Sequence, residues 1–324
     1  MKFHIPLRFV DYVLVVILIP FFILRAIHWL FDRHWMNDIK ASLAVDRFAS
    51  EFSEYLAEIE IRPGRFIRVL HIPPTTKTTS PIRIAFIHGA CARMQQFMHQ
   101  IQFCIGEGFE VLSYDALGCG GSQAPVGAEQ YVSEEMYLDM LSFVEKFKPA
   151  CIVGHSMGGA MVAKLAASAN PTIKAAVSIC PPSFVSKRSQ TSVFHLPISV
   201  LWLVRPLLGL KARDLLFGPK ASSDLRRMEK EASARNAVHM FKAFYMGIDR
   251  SFFLLSGSKT QVPLLLLAAD KDKICPPEGV ETNVDESGLV ELETLKECGH
   301  QCMQEDPDQV NRHIVGFLKK NFKL

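Results

Sequence analysis

The sequence predicts an α/β fold, a mostly parallel sheet covered by helices on both faces. Short apolar runs alternate with helically spaced segments over most of the chain. A glycine-flanked serine stands between one such run and the next helix, and two aspartates and a histidine follow the last two runs. With 324 residues, 49% of them hydrophobic, the chain can bury one large core.

The runs Ile82 to Ile87, Glu110 to Tyr114, Ala150 to Gly154, Ile173 to Cys180, Pro263 to Ala269 and Leu289 to Leu295 predict buried strands. Between them, Met94 to Gly106, Ser133 to Phe147, Met157 to Ala169 and Gln309 to Phe322 have helical spacing. Continuous apolar strands joined through helices belong to parallel sheets covered on both sides. Upstream, Leu56 to Ile61 and Phe66 to Ile72 predict an antiparallel entry pair, and the Pro- and Thr-rich stretch 73–81 a surface loop. The domain organisation expected is a tether over 1–50, a core formed by 51–180 and 260–324, and an insertion over 181–259.

That insertion is helical and amphipathic, without a clear strand. Val193 to Leu210 is apolar enough to raise a second membrane span, but Pro197, Arg205 and Pro206 are expected to cut it into pieces too short for a bilayer. It is expected to form a lid, with membrane contact by its apolar helices as a second role.

At the N-terminus, Tyr12 to Leu24 carries no charge, and the apolar stretch runs to Phe31 if Arg25 and His28 are tolerated. A cleaved signal peptide would need a small-residue site after this core, and 25–29 offers none. Residues 10–31 are therefore expected to tether the chain to a membrane. A spanning helix, a helix lying in one leaflet with Trp29, Phe31 and Trp35 at headgroup level, and a soluble core helix all stay open. Slightly more Lys and Arg after the segment than before it favours a cytoplasmic catalytic domain, compatible with an endoplasmic-reticulum or lipid-droplet surface.

A formal charge of +3 without basic clusters argues against nucleic acid as partner. The eight cysteines show no C-x-x-C spacing and several lie in apolar runs, which suits reduced structural thiols. Cys298 and Cys302 flank His300, but no second ligand pair accompanies them, so no metal is expected.

The chemistry centres on Gly154-His155-Ser156-Met157-Gly158, a G-x-S-x-G elbow directly after a strand and before a helix. A nucleophile on that sharp turn projects out of the sheet, and the helix start favours a developing anion. A serine hydroxyl needs a base, and the base an orienting acid. His300 follows the last strand at the same sheet edge. Asp270 and Asp272 both follow the strand before it; Asp272, ahead of Ile274-Cys275-Pro276, is preferred, and Asp270 remains the alternative. The oxyanion donors expected are the backbone N–H groups of Met157 and of Ala90, the latter in the His88-Gly89-Ala90 loop.

These pieces, with Asp115 to Ser122, resemble the α/β-hydrolase superfamily across Phe66 to Leu324. The insertion after Cys180 is most similar to that of the membrane-associated abhydrolase-domain proteins. The resemblance implies about eight strands, a helical lid, hydrolysis through an acyl-enzyme and no cofactor. No histidine has an Asp five positions later, so the acyl-transfer box of some relatives is missing; Ser156 in the elbow disfavours chemistry that needs an aspartate nucleophile. The expected function is an esterase or lipase acting on small or lipid acyl esters. A triad acting on thioester or carbon–carbon bonds, and a catalytically silent membrane-bound scaffold, are the alternatives.

Overall fold

The computed structural model describes residues 20, 23, 47–75, 81–182, 192–234, 236–249, 252 and 259–324. Two compact units emerge, 1–51 and 52–324. In the first, Arg47–Glu51 forms a short helix. The expected tether over 10–31 lies outside the described residues apart from residues 20 and 23, and no helix among the described residues is long and apolar enough to cross a membrane.

The second unit is built on eight strands: β1 (Leu56–Arg62), β2 (Arg65–Ile72), β3 (Arg83–Ile87), β4 (Glu110–Tyr114), β5 (Cys151–His155), β6 (Ala175–Ile179), β7 (Leu264–Ala269) and β8 (Val290–Leu295). Their order is β1-β2-β4-β3-β5-β6-β7-β8. The β1/β2 and β2/β4 pairs are antiparallel and every other pair is parallel. Each residue of β4, β5, β6 and β7 is buried, as expected of mostly apolar strands covered on both faces. At the edge, β8 is mostly half-exposed and carries Glu291 and Glu293, charges that discourage further strand pairing.

The helices are α1 (Met98–Gly106), α2 (Ser133–Phe147), α3 (Met157–Ala166), α4 (Ile198–Leu216), α5 (Ser223–Ala234), α6 (Val238–Gly247), α7 (Pro277–Glu281), α8 (Cys302–Glu305) and α9 (Pro307–Phe322). Alternate strand residues face opposite sides. Tyr114 packs on Phe143 of α2 with ring centroids 4.8 Å apart, whereas Phe86 meets Phe97, just before α1, at 5.2 Å. The expected helix from Met94 begins as a 3-10 turn, Met94–Phe97, whose first N–H is taken by the Asp115 carboxylate at 2.8 Å.

Two ion pairs, each with a buried carboxylate, tie the entry hairpin to the rest. Arg65 binds Asp139 of α2 bidentately at 2.7 and 2.5 Å, and Arg68 binds Asp115 at 2.9 and 2.7 Å. Asp115, fully buried, also accepts the N–H of Gly121, so one carboxylate fixes the loop after β4.

Between β6 and β7 lies the insertion, with α4, α5 and α6 as its helices. One expectation is corrected here: Pro206 does not divide the apolar stretch, because α4 runs continuously from Ile198 to Leu216. An interior proline forfeits one backbone bond and bends a helix without having to end it. Pro197 does act as a boundary, standing at the N-cap with extended backbone.

Candidate active site

Ser156 closes β5 and caps α3 with φ +53 and ψ −116, a conformation that costs a non-glycine residue energy and persists only where the surroundings enforce it. Its own N–H bonds Ile179 O at 2.8 Å and its carbonyl accepts from Ala160 at 3.0 Å, so both sides of the turn are fastened. The turn also needs glycine: a Cβ on Gly154 would sit 2.2 Å from the Gly158 carbonyl oxygen. From Cys151 to Ala163 every residue is buried except Ser156. The Met157 N–H opens α3, where the first amides have no partner within the helix and can meet an anion.

Gly89 lies against this turn. A Cβ there would stand 3.2 Å from Ser156 Cβ and 2.9 Å from His155 Nδ1. The Gly89 carbonyl accepts from His88 Nδ1 at 2.7 Å and from the Ala92 N–H at 3.2 Å. In a trans peptide the following N–H points the opposite way, so these two bonds fix the direction of the Ala90 N–H. His88 Nε2 accepts the Ala116 N–H at 2.8 Å, so the ring proton must sit on Nδ1. Burial holds the His88 imidazole below its ordinary value, which keeps that neutral tautomer.

His300 is buried on the turn after β8, and its Nδ1 donates to Asp272 Oδ2 at 2.7 Å. The other Asp272 oxygen accepts the N–H groups of Ile274 and Cys275 at 2.7 and 2.8 Å, so the acid cannot rotate away. Asp270 is engaged elsewhere, with the Cys298 N–H and Lys271. Burial, the largest single influence, would lower the His300 basicity, but the charge and hydrogen bond of Asp272 together with those of Cys275 outweigh it, and the imidazole is raised well above its ordinary value.

His155 links the two halves. Its Nε2 donates to the His300 carbonyl at 2.8 Å, and the two rings lie 4.7 Å apart. Burial, then the neighbouring His300, pushes His155 well below its ordinary value, so it stays neutral beside an imidazole that charges. In the elbow pattern His155 is a variable letter, and nothing in the sequence signals this bond, since its partner lies 145 residues away.

Cys180, Asp272 and His300 bring ligand atoms within 4.8 Å of one another. The Cys180 thiol is raised well above its ordinary value by its bond to Cys302, 3.7 Å away, and by burial, which opposes the thiolate a metal would need. Cys298 turns instead to the Lys296 carbonyl at 3.3 Å. All eight cysteines are free, and burial pushes Cys104 and Cys119 up to about 12.

A family model described as serine aminopeptidase, S33, matches residues 81–307. Protein ABHD8 of Mus musculus is 26% identical over 272 residues, covering 79% of this chain and 61% of its own length. Bifunctional epoxide hydrolase 2 of Sus scrofa is 22% identical, covering 73% of this chain and 51% of its own. The chain thus spans about 61% of ABHD8 and about half of the second relative. Among solved structures, a putative aryl esterase from Burkholderia cenocepacia superposes with TM-score 0.70 at 20% identity, over 83% of this chain and all of its own. A bacterial membrane phospholipase A superposes with TM-score 0.66 at 19% identity, over 98% of this chain and 100% of its own. These two likenesses are of fold. The matched family span runs from just before β3 to the start of α9 and contains every residue of the site, so the chain belongs to the serine aminopeptidase S33 family, within the α/β-hydrolase fold.

Proposed function

We propose that the protein is a serine hydrolase that cleaves acyl esters of lipid-derived substrates, held at a membrane by residues 10–31. The observation that carries this reading is the Asp272–His300 bond of 2.7 Å, with Ser156 on a strained turn next to His155, whose ring lies 4.7 Å from that of His300. With Nδ1 committed to Asp272, the remaining His300 nitrogen, Nε2, is the atom that takes the Ser156 proton as the oxygen attacks the ester carbonyl carbon. The N–H groups of Met157 and Ala90 receive the oxyanion. His300 then protonates the leaving alcohol, and water resolves the acyl-enzyme.

The bond class is favoured by Ser156 at the elbow, where an epoxide hydrolase uses a carboxylate, and by relatives of the same fold that are named esterases. The helical insertion acts as the lid. Its contacts around the site include Asn236 donating to the Cys91 carbonyl at 2.5 Å and the Gln301 N–H donating to Leu216 O at 3.2 Å. The lipid assignment draws on the apolar N-terminal segment and on the apolar surface of the insertion.

A fluorophosphonate probe tests the chemistry. Labelling that disappears in Ser156→Ala supports it; a folded wild-type chain that takes no label identifies a silent scaffold. A panel of monoacylglycerols, lysophospholipids, short-chain esters and thioesters then tests the substrate, and turnover confined to short soluble esters removes the lipid reading.

A further inference from the structure

We propose that the start of α4 and the outer face of α6 form a docking surface for a bilayer containing anionic phospholipid. Six exposed large apolar side chains gather there: Leu196, Ile198, Val200, Leu203, Tyr245 and Met246. The pieces that carry them are joined. Phe194 stacks on Tyr245 with ring centroids 4.6 Å apart and packs edge-on to Phe241 at 5.6 Å, and Lys242 donates to the Leu196 carbonyl at 2.9 Å. From His195 to Val200 every residue is exposed, so the first turn of α4 stands out as an apolar knob.

Charge selects the occupant. Across 192–205 and 236–248, the stretches that form this surface, the sequence contains no Asp or Glu, while Arg205 and Lys242 are cationic. Within the described surface, Arg205 lies 5.8 Å from the Phe241 ring centroid and Lys242 borders Leu196. Apolar side chains and aromatic rings bordered by cations match a headgroup and acyl boundary carrying negative charge. The surface deepens the lipid reading above but does not depend on its chemistry, since Ser156→Ala leaves it intact.

Full-length Ser156→Ala chain, reconstituted in vesicles of phosphatidylcholine alone or with phosphatidylserine added, tests it by hydrogen exchange. Peptides covering 192–204 and 238–249 are expected to exchange about three-fold slower on the phosphatidylserine vesicles, with those covering 264–300 unchanged. Adding Ile198→Glu and Leu203→Glu returns the rate to that on phosphatidylcholine. Equal exchange on the two vesicles in the parent chain overturns the proposal, as does slowing that survives both substitutions. Slowing that follows protein concentration rather than lipid points to a second copy of the chain and overturns it too. Fluorophosphonate labelling of the Ile198→Glu, Leu203→Glu chain with Ser156 restored reports separately on the chemistry and on folding.

Discussion

The Glu305 carboxylate accepts the Gly299 N–H at 3.1 and 3.2 Å and the Gly218 N–H at 2.9 Å, joining the residue before His300 to the turn after α4. Those two backbones touch, since a Cβ on Gly218 would lie 2.5 Å from Gly299 N. Glu305→Ala leaves both amides unsatisfied, at a cost of about 1–3 kcal/mol each. We expect it to lower kcat about ten-fold through a displaced His300. Glu305→Gln keeps one acceptor oxygen and should recover most of the loss, as measured by steady-state turnover of the best ester in the panel.

Under the proposed mechanism, the raised basicity of His300 sets the pH dependence of activity. Only the neutral imidazole can take the Ser156 proton, so the acidic limb of kcat/KM should lie above the free imidazole value of about 6.5. Asp272→Asn should move that limb down and reduce kcat on the order of 10⁴-fold, through loss of the tautomer Asp272 holds.

Stability follows the opposite course. A histidine raised in the folded state contributes stability that is fully present below about pH 6.5 and is lost as pH rises through its folded value. Wild type should therefore lose its Tm advantage over Asp272→Asn across that window. A constant difference in melting temperature at every pH would contradict the assignment.

His88 clamps the loop before Ala90 without titrating. His88→Ala releases the Gly89 carbonyl and strands the buried Ala116 N–H, so kcat should fall about 10²-fold with little change in KM. Fluorophosphonate labelling should slow in parallel.

Arg65 and Asp139 test the framework apart from the chemistry. Both side chains are under one-tenth exposed, and Asp139→Ala leaves a buried guanidinium without its bidentate partner. A loss of about 3–5 kcal/mol is expected in denaturant unfolding, with turnover per folded molecule unchanged.

Much of this architecture was legible in the residues. The buried strands announce themselves as short, mostly apolar runs, and Glu110 to Tyr114 and Ser133 to Phe147 fall on the observed boundaries. The preference for Asp272 over Asp270 rested on the turn before Pro276, and Asp272 is the carboxylate bonded to His300. What could not be read is contact across the sheet edge. Glu305, His155 and His88 hold the site through backbone groups, and a bond to a peptide N–H or C=O leaves no imprint on the partner's identity. Pro206 misled for a related reason: local propensity marks a helix breaker, but tertiary packing decides whether the helix stops.

Because β6 and β7 are adjacent in the sheet, the whole excursion over 181–259 departs from one strand and returns on its immediate neighbour. Its length and helix content can therefore change without altering a single strand pairing. Exchanging this segment for that of a relative is a route to new substrate preference on an unchanged catalytic base, provided Gly218 and its contact with the His300 turn are kept.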